Sequence, residues 1–466
     1  MATLVLTAVG SAVGGPIGGA IGALIGRSVD GLVLRPGRRE GPRLTELAVQ
    51  TSSYGSQIPA LFGTMRVAGT VIWATDLIET RSRSGGGKGQ PSVSTYSYAA
   101  SFAVLLSARR VLRVGRIWAE GKLLRGAGGD FKTATGFRLH PGGETQAVDP
   151  LIAAAEGAGV SPAYRGCAYV VFEQMALAAY GNRIPSLTFE VIADAGAVGV
   201  ATIARAVAAE VAQGTGEQAG EAAMTLDGFA VAGGSVGAVL ATLAQAAGGW
   251  FAPGPGGTAL TLCDPASAAG DLPVIIDAGV RADGRGTDMK VRAVAASDSV
   301  PRTMTIGYYD AARDYQTGLQ RVRRAGAGPG GRDERIALAA VLSAGAAKTI
   351  AAAVLARAEA ERVRRTVRLG PGGLARTPGS VVRIADAAGV PEPGIWRIVE
   401  TMVEAMVTTL VLTPVEIAPV AVAGSSGRVA AAVDAVIGAS RLAAFETPGL
   451  EDEPLAAQRL TVAAAG

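Results

Sequence analysis

The sequence predicts a mainly β protein with α+β parts. Three observations carry that expectation. The 65 glycines among 466 residues require a chain that turns, bulges and packs backbone closely. Apolar runs of strand length recur between Gly and Pro punctuation. Alanine-rich, helix-forming text replaces them after residue 199. With 49% apolar and 18% charged residues the chain has the balance of a folded protein, and its length allows about three or four domains.

The elements follow in order. Residues 1–26 carry no charged side chain, and at about 1.5 Å per residue a helix of that length reaches across a bilayer core. Gly10, Gly14, Gly18, Gly22 and Gly26 recur every fourth residue, with Gly15 and Gly19 beside them, and on a helix they form one smooth ridge for close packing. Glycine disfavours an isolated helix by nearly ~1 kcal/mol per residue, so such a ridge needs a partner. The first basic residue is Arg27, behind the apolar stretch and not ahead of it, which argues against a secretory signal.

Residues 44–78 read as short strands and turns, and 80–95, rich in Ser, Gly and basic residues, as a mobile hairpin loop. Strands are expected at 96–107, 114–124, 167–173 and 185–194. Helices are expected at 203–211 and 236–247, with strands at 228–231 and 259–262, a small α+β region. Strands return at 303–310. Residues 337–365 read as one long helical run, followed by strands near 366–373, 380–386 and 396–420; in the last of these alternation is too weak to place the breaks.

Catalytic chemistry finds few candidates. His140 is the only histidine, so a two-histidine metal site or a zinc Cys/His cluster has no ligands. Cys167 and Cys263 are far apart and read as packing residues. Gly233 to Gly237 matches G-x-S-x-G around Ser235, but His140 precedes that serine, which favours a loop or a helix start. Gly87-Lys88 is followed by Gly89, where a phosphate loop needs Ser or Thr. Glu120 and Glu173 are the best glycosidase pair on offer, both in strand text where solvent-facing carboxylates are common. Arg321, Arg323 and Arg324, and then Arg362, Arg364, Arg365 and Arg368, form basic clusters without the interleaved aromatics of a base-stacking surface. Net charge is only +4, from 43 basic and 39 acidic residues without long like-charged runs, so a dedicated nucleic-acid binder is not indicated. No catalytic, cofactor or metal-binding residue is assigned and no cofactor is expected; the glycine ridge is the candidate functional element.

Several segments resemble one family: GGGKGQPSVSTYSYAASFAVLLS (85–107), RIWAEGKLL (116–124), FEQMALAAYGNRIPSLTFEV (172–191), YYDAARDYQTGLQ (308–320) and WRIVE (396–400). In that order they are similar to the large tail hub proteins of gene transfer agents and related long-tailed phages, the megatron-like or tip attachment proteins. The resemblance implies a homotrimeric hub in which each copy supplies two β-barrel domains, with intervening and peripheral α+β domains. It implies a glycine-rich apolar segment at 1–43, a first barrel at 44–195 with an insertion around 125–166, an α+β domain at 196–295, a second barrel at 296–420 with a helical insertion around 335–365, and an extension at 421–466. Many family members carry a TIM-barrel-like domain similar to glycoside hydrolases, for which this chain has no room.

The implied function is non-enzymatic. The protein would sit at the tail tip of a virion, close the tube, anchor the distal tail protein, other tail-tip proteins and receptor-binding or fibre proteins, meet the tape-measure protein, and open for DNA passage. The alternatives are a cell-wall-degrading tail hydrolase, or a DNA-delivery protein that contacts the host membrane through residues 1–26.

Overall fold

The computed structural model describes residues 57–84, 93–209, 224–253, 260–263, 265, 272–277, 291–328, 331–386, 388–416, 421–427, 441–447 and 459–465. The chain divides into two units, Met1–Arg43 and Leu44–Gly466. The first, with the ridge Gly10, Gly14, Gly18, Gly22 and Gly26, lies outside the described residues. The second is mainly β, as glycine content and strand-length apolar runs predict.

Its first part comprises β1 (Ala60–Ala68), β2 (Thr70–Ala74), β3 (Ile78–Ser84), β4 (Val93–Ser107), β5 (Arg113–Ala119), β6 (Lys122–Arg125), β7 (Gly136–His140), helix α1 (Pro150–Glu156), β8 (Ala168–Ala176) and β9 (Leu187–Ile192). Strands β2, β4, β8 and β7 lie side by side, with β3 on β4, while β1, β9, β5 and β6 neighbour one another in a larger sheet. The two sheets share a core in which Phe102, Leu106 and Phe172 meet Met65, Ile117 and Phe189. The opposite face of β4 and β8, with Ala103, Leu105, Tyr169 and Val171, packs against Ile152 of α1. Burial on both faces explains why β4 reads as a continuous apolar run instead of alternating.

The expected loop at 80–95 is corrected by the β3–β4 ladder, which runs from Ile78↔Ala99 to Ser84↔Val93. Residues 80–84 and 93–95 are paired strand, and 85–92 lie outside the described residues. Alternating Thr, Ser and Tyr suit a ladder, which satisfies backbone groups that a loop would leave to water.

The central part adds β10 (Val198–Gly199), α2 (Val200–Ala209), β11 (Thr225–Leu226), β12 (Gly228–Val231), α3 (Val236–Ala246), β13 (Trp250–Pro253), β14 (Leu260–Cys263), β15 (Val274–Ile276), β16 (Val291–Val294), β17 (Thr303–Asp310), β18 (Gln316–Arg323), β19 (Asp333–Val341) and α4 (Ala344–Ala360). One sheet of eight strands, in the order β18-β17-β19-β12-β1-β9-β5-β6, joins this part to the first. The joint is β12, antiparallel to both β1 and β19. Here the backbones meet so closely that a Cβ on Gly228 would lie 2.1 Å from the Thr64 carbonyl oxygen, so only glycine fits. Helices α2, α3 and α4 cover this sheet, burying Ile203, Leu243 and Ile350 against Phe229, Ile306 and Leu338.

The long helix expected over 337–365 is shorter. Residues 337–341 belong to β19, Ser343 caps α4 by accepting from the Ala346 amide, and β20 begins at Val363. Alanine favours helix by itself, but β19 lies between β17 and β12, where small residues let the helices approach and where ladder bonds override propensity.

The last part is a six-stranded sheet in the order β15-β21-β22-β23-β20-β16, with β20 (Val363–Leu369), β21 (Val381–Ala385), β22 (Trp396–Glu404) and β23 (Val407–Pro414). Its own core holds Ile275, Val367, Val382, Ile384, Ile398, Leu410 and Leu412. Strands at 303–323 and 363–414, grouped by sequence within 296–420, thus lie in different sheets. A hairpin of β24 (Arg441–Thr447) and β25 (Arg459–Ala465) follows.

Candidate functional site

The segment 308–320 forms the end of β17, a reversal and β18. Asp310 begins the reversal by accepting from the Ala312 amide through Oδ1 at 3.0 Å. Asp314 and Tyr315 then take left-handed backbone angles, φ 53° and 62°. That strained turn directs Tyr315 into the core between the first two sheets, where it is only 5% exposed.

Around Tyr315 three strands contribute charge. The Tyr315 hydroxyl donates to Glu190 Oε1 of β9 at 2.9 Å. Arg116 of β5 donates through Nη2 to the same oxygen at 2.9 Å and through Nη1 to Asp314 Oδ1 at 2.6 Å. Arg66 of β1 donates through Nη1 to the Asp314 carbonyl oxygen at 3.2 Å and through Nε to Thr188 Oγ1 at 2.9 Å. Both guanidinium groups lie over the Trp118 ring, 3.8 Å from its centroid for Arg66 and 4.9 Å for Arg116.

Two cations and two carboxylates close a neutral, half-buried cluster. Burial opposes ionisation of Glu190, but hydrogen bonds from Arg116 and then its charge more than offset it, holding the carboxyl below its ordinary range. Burial and then the Glu190 charge push the Tyr315 hydroxyl well above the usual phenol range, so it remains a donor. Neither group is poised to exchange protons near neutrality. The cluster acts as a clamp that fixes the β17–β18 turn to the β1–β9–β5 face. Arg116, Glu190 and Asp314–Tyr315 lie inside segments that carried the family resemblance, without an assigned role; Arg66 had no local signal.

The residues weighed for catalysis have other partners. The ring of His140 stacks on Tyr169, centroids 4.4 Å apart, and its Nε2 lies 2.9 Å from Asp149 Oδ2. Asp149 also caps α1 through the Leu151 amide at 2.8 Å and pairs with Arg138 at 2.9 Å. Burial penalises the Asp149 carboxylate, yet the bonds from Arg138, His140 and Leu151 hold its pKa at about 2. Glu173 pairs with the same Arg138 at 2.5 Å, whereas Glu120 pairs with Arg183 at 2.5 Å. Ser235 is the N-cap of α3, accepting from the Ala238 amide at 3.2 Å. Burial pushes the Cys167 thiol up. Gly87-Lys88 lies outside the described residues. Among the described residues no group of acidic, His and Cys side chains could hold a metal ion, and no helix is long and apolar enough to cross a membrane.

The basic clusters are largely consumed within the chain. Arg324 and Arg362 share Glu359, Arg321 lies 3.5 Å from Asp333, and Arg365, 7% exposed, pairs with Asp277 at 2.9 Å and Glu392 at 3.3 Å.

Residues 236–401 match the family model Phage-tail_3, described as a putative phage tail protein. A chain in the virion of a native gene transfer agent (GTA) particle superposes with a TM-score of 0.62 at 26% identity, over 89% of this chain and 99% of that one. Together the two matches indicate a virion tail location. The 43 kDa tail protein of prophage MuSo2 from Shewanella oneidensis aligns at 11% identity and a TM-score of 0.30, over 73% of this chain and 97% of that one, too distant to add to the argument. No curated protein matches the chain. The region similar to tail proteins runs from α3 into β22 and includes Asp314 and Tyr315, while Arg66, Arg116 and Glu190 precede it. The clamp therefore ties the matched region to strands β1, β5 and β9 of the same eight-stranded sheet.

Proposed function

We propose that the chain is the hub of a phage-like tail, a structural protein that closes the distal end of the tube as a trimer. It anchors the distal tail protein and fibre proteins, meets the tape-measure protein, and opens for DNA. The observation that carries this reading is the likeness to a virion chain over 89% of this chain and 99% of that one, which is not confined to one domain. The neutral clamp at Tyr315 supports it: a hub that holds partners on several faces needs the distant strands of its large sheet fixed to one another.

The glycine ridge Gly10, Gly14, Gly18, Gly22 and Gly26 is assigned, from its spacing, to delivery. Uncharged and without bulk, it suits a protein-lined channel or a host membrane entered on ejection. Particles lacking residues 1–26 should still assemble but fail to deliver DNA; if the shortened chain does not fold, the ridge belongs to the core.

The hub reading is tested by electron microscopy of particles whose copy of this protein carries an antibody epitope. Fab density in threefold arrangement at the distal tail end is expected. Density along the tube or on the capsid, or particles that lack the protein, would overturn the proposal.

A further inference from the structure

Helices α3 and α4, strand β13 and the end of β23 surround a cavity of about 760 Å³. Ala246, Ala247, Ala353 and Ala356 line it beside Ile350 and Trp250, so its walls are apolar and made of side chains too short to fill it. A further wall is the segment 421–423. The Val422 amide anchors that segment by donating to Thr349 Oγ1 at 2.9 Å, and Gly424 is pressed against α4, where a Cβ would lie 2.2 Å from the Ala344 carbonyl oxygen. Among the described residues the amides of Ala421 and Ala423 donate to no partner.

One end of the cavity is charged. Arg397 of β22 and Arg357 of α4 donate to the same oxygen of Glu361, at 2.8 Å and 2.9 Å. Arg357 also donates to the Gly249 carbonyl oxygen at 2.6 Å. The Arg397 side chain is 14% exposed and lies 5.1 Å from the Trp250 ring centroid. Its Nε and Nη1 have no partner among the described residues. Arg397 is the most buried of the three, while Arg357 and Glu361 are about a third exposed, and Glu416, which also borders the cavity, is exposed to water. Burial, and then the Arg357 charge, lowers the affinity of Arg397 for its proton.

We propose that this cavity receives an extended apolar segment of a neighbouring tail polypeptide that brings one carboxylate to Arg397. The volume falls within the ~300–1,000 Å³ of ligand pockets, enough for a few residues. The free amides of Ala421 and Ala423 offer an edge for backbone pairing, which a polypeptide can use and an acyl chain cannot. A planar guanidinium with unused donors suits a carboxylate, as a side chain or as a chain terminus. The inference rests on the chain being a structural tail protein with polypeptide neighbours.

The test uses the full chain and a fluorescein-labelled peptide, Ala-Val-Leu-Val-Ala, with either a free or an amidated C-terminus, followed by anisotropy. The acid is expected to bind about tenfold tighter than the amide, because only it pairs with the guanidinium. Arg397→Gln should erase that difference. Ala353→Phe, which fills the cavity, should abolish binding of both peptides. Equal binding of acid and amide, no binding of either at about 1 mM, binding untouched by Ala353→Phe, or binding of dodecanoate where the peptides fail, each overturns the proposal. Should Arg397→Gln not fold, the acid and amide comparison and Ala353→Phe still decide. Particles carrying Ala353→Phe separate the two readings: this chain stays at the tail end if only the cavity proposal fails, and is absent from the tail end of wild-type particles if the hub reading fails.

Discussion

Replacing Tyr315 with Phe removes the hydroxyl that donates to Glu190 Oε1 at 2.9 Å and keeps the ring in the core. At 5% exposure water cannot substitute for it. A hydrogen bond to a charged group contributes about 1.5–3 kcal/mol, and because Glu190 keeps Arg116 the low end, about 1.5 kcal/mol, applies. Glu190→Gln is harsher, leaving Arg116 and Arg66 with Asp314 alone, and should cost about 3 kcal/mol or more. The double variant should therefore show a coupling of about 1.5 kcal/mol. Urea unfolding read by tryptophan fluorescence measures it, and Trp118 lies directly beneath both guanidinium groups. The same cycle carries a pH signature. The Glu190 carboxyl is depressed in the fold, so its stabilisation is present above the ordinary glutamate pKa and is lost as pH falls through the lower folded value. Without the Tyr315 hydroxyl the folded value rises and the loss begins at higher pH. Coupling below about 0.3 kcal/mol, within the scatter of independent sites, would refute the clamp.

Asp149, fully buried with a pKa of about 2, should contribute on the order of 2 kcal/mol above about pH 5 and lose it as pH falls towards 2. Melting profiles of wild type and Asp149→Asn should converge across that window, and parallel profiles would exclude the assignment. At the β22–β23 turn Ala405 and Met406 have φ 47° and 62°, so Ala405→Asn with Met406→Gly should relieve strain and raise stability by about 1–2 kcal/mol. An unchanged denaturant midpoint would count against a two-residue turn of this hand. Gly228→Ala forces a Cβ to 2.1 Å from the Thr64 oxygen and should cost about 3 kcal/mol or more, whereas Gly159→Ala, in open space, should stay within about 0.5 kcal/mol. Equal effects of the two in thermal unfolding would mean that β1 and β12 are not so tightly joined.

Local pattern was enough for much of the fold. Strand β4, the cap at Ser235, helix α3 and the run of short strands are set by neighbours within a few residues, where apolar spacing, a hydroxyl before a helix and glycine punctuation act directly. The lone His140 already argued against multi-histidine metal chemistry. The hairpin at 405–406 was not legible, because Ala and Met there carry none of the Asn or Gly that normally announces such a turn. Nor was β19, whose alanines favour helix until β17 and β12 flank it on both sides. The clamp was further still from sequence view: Tyr315 meets Glu190 across 125 residues, and Arg66 meets Asp314 across 248. Sequence by itself determined the class of fold and the scarcity of catalytic groups, since both follow from composition and short-range spacing. Which charges neutralise one another, and that Arg397 borders a cavity, follow only from the tertiary structure, because a guanidinium has no local preference among carboxylates and its partner is chosen by the closing of distant strands.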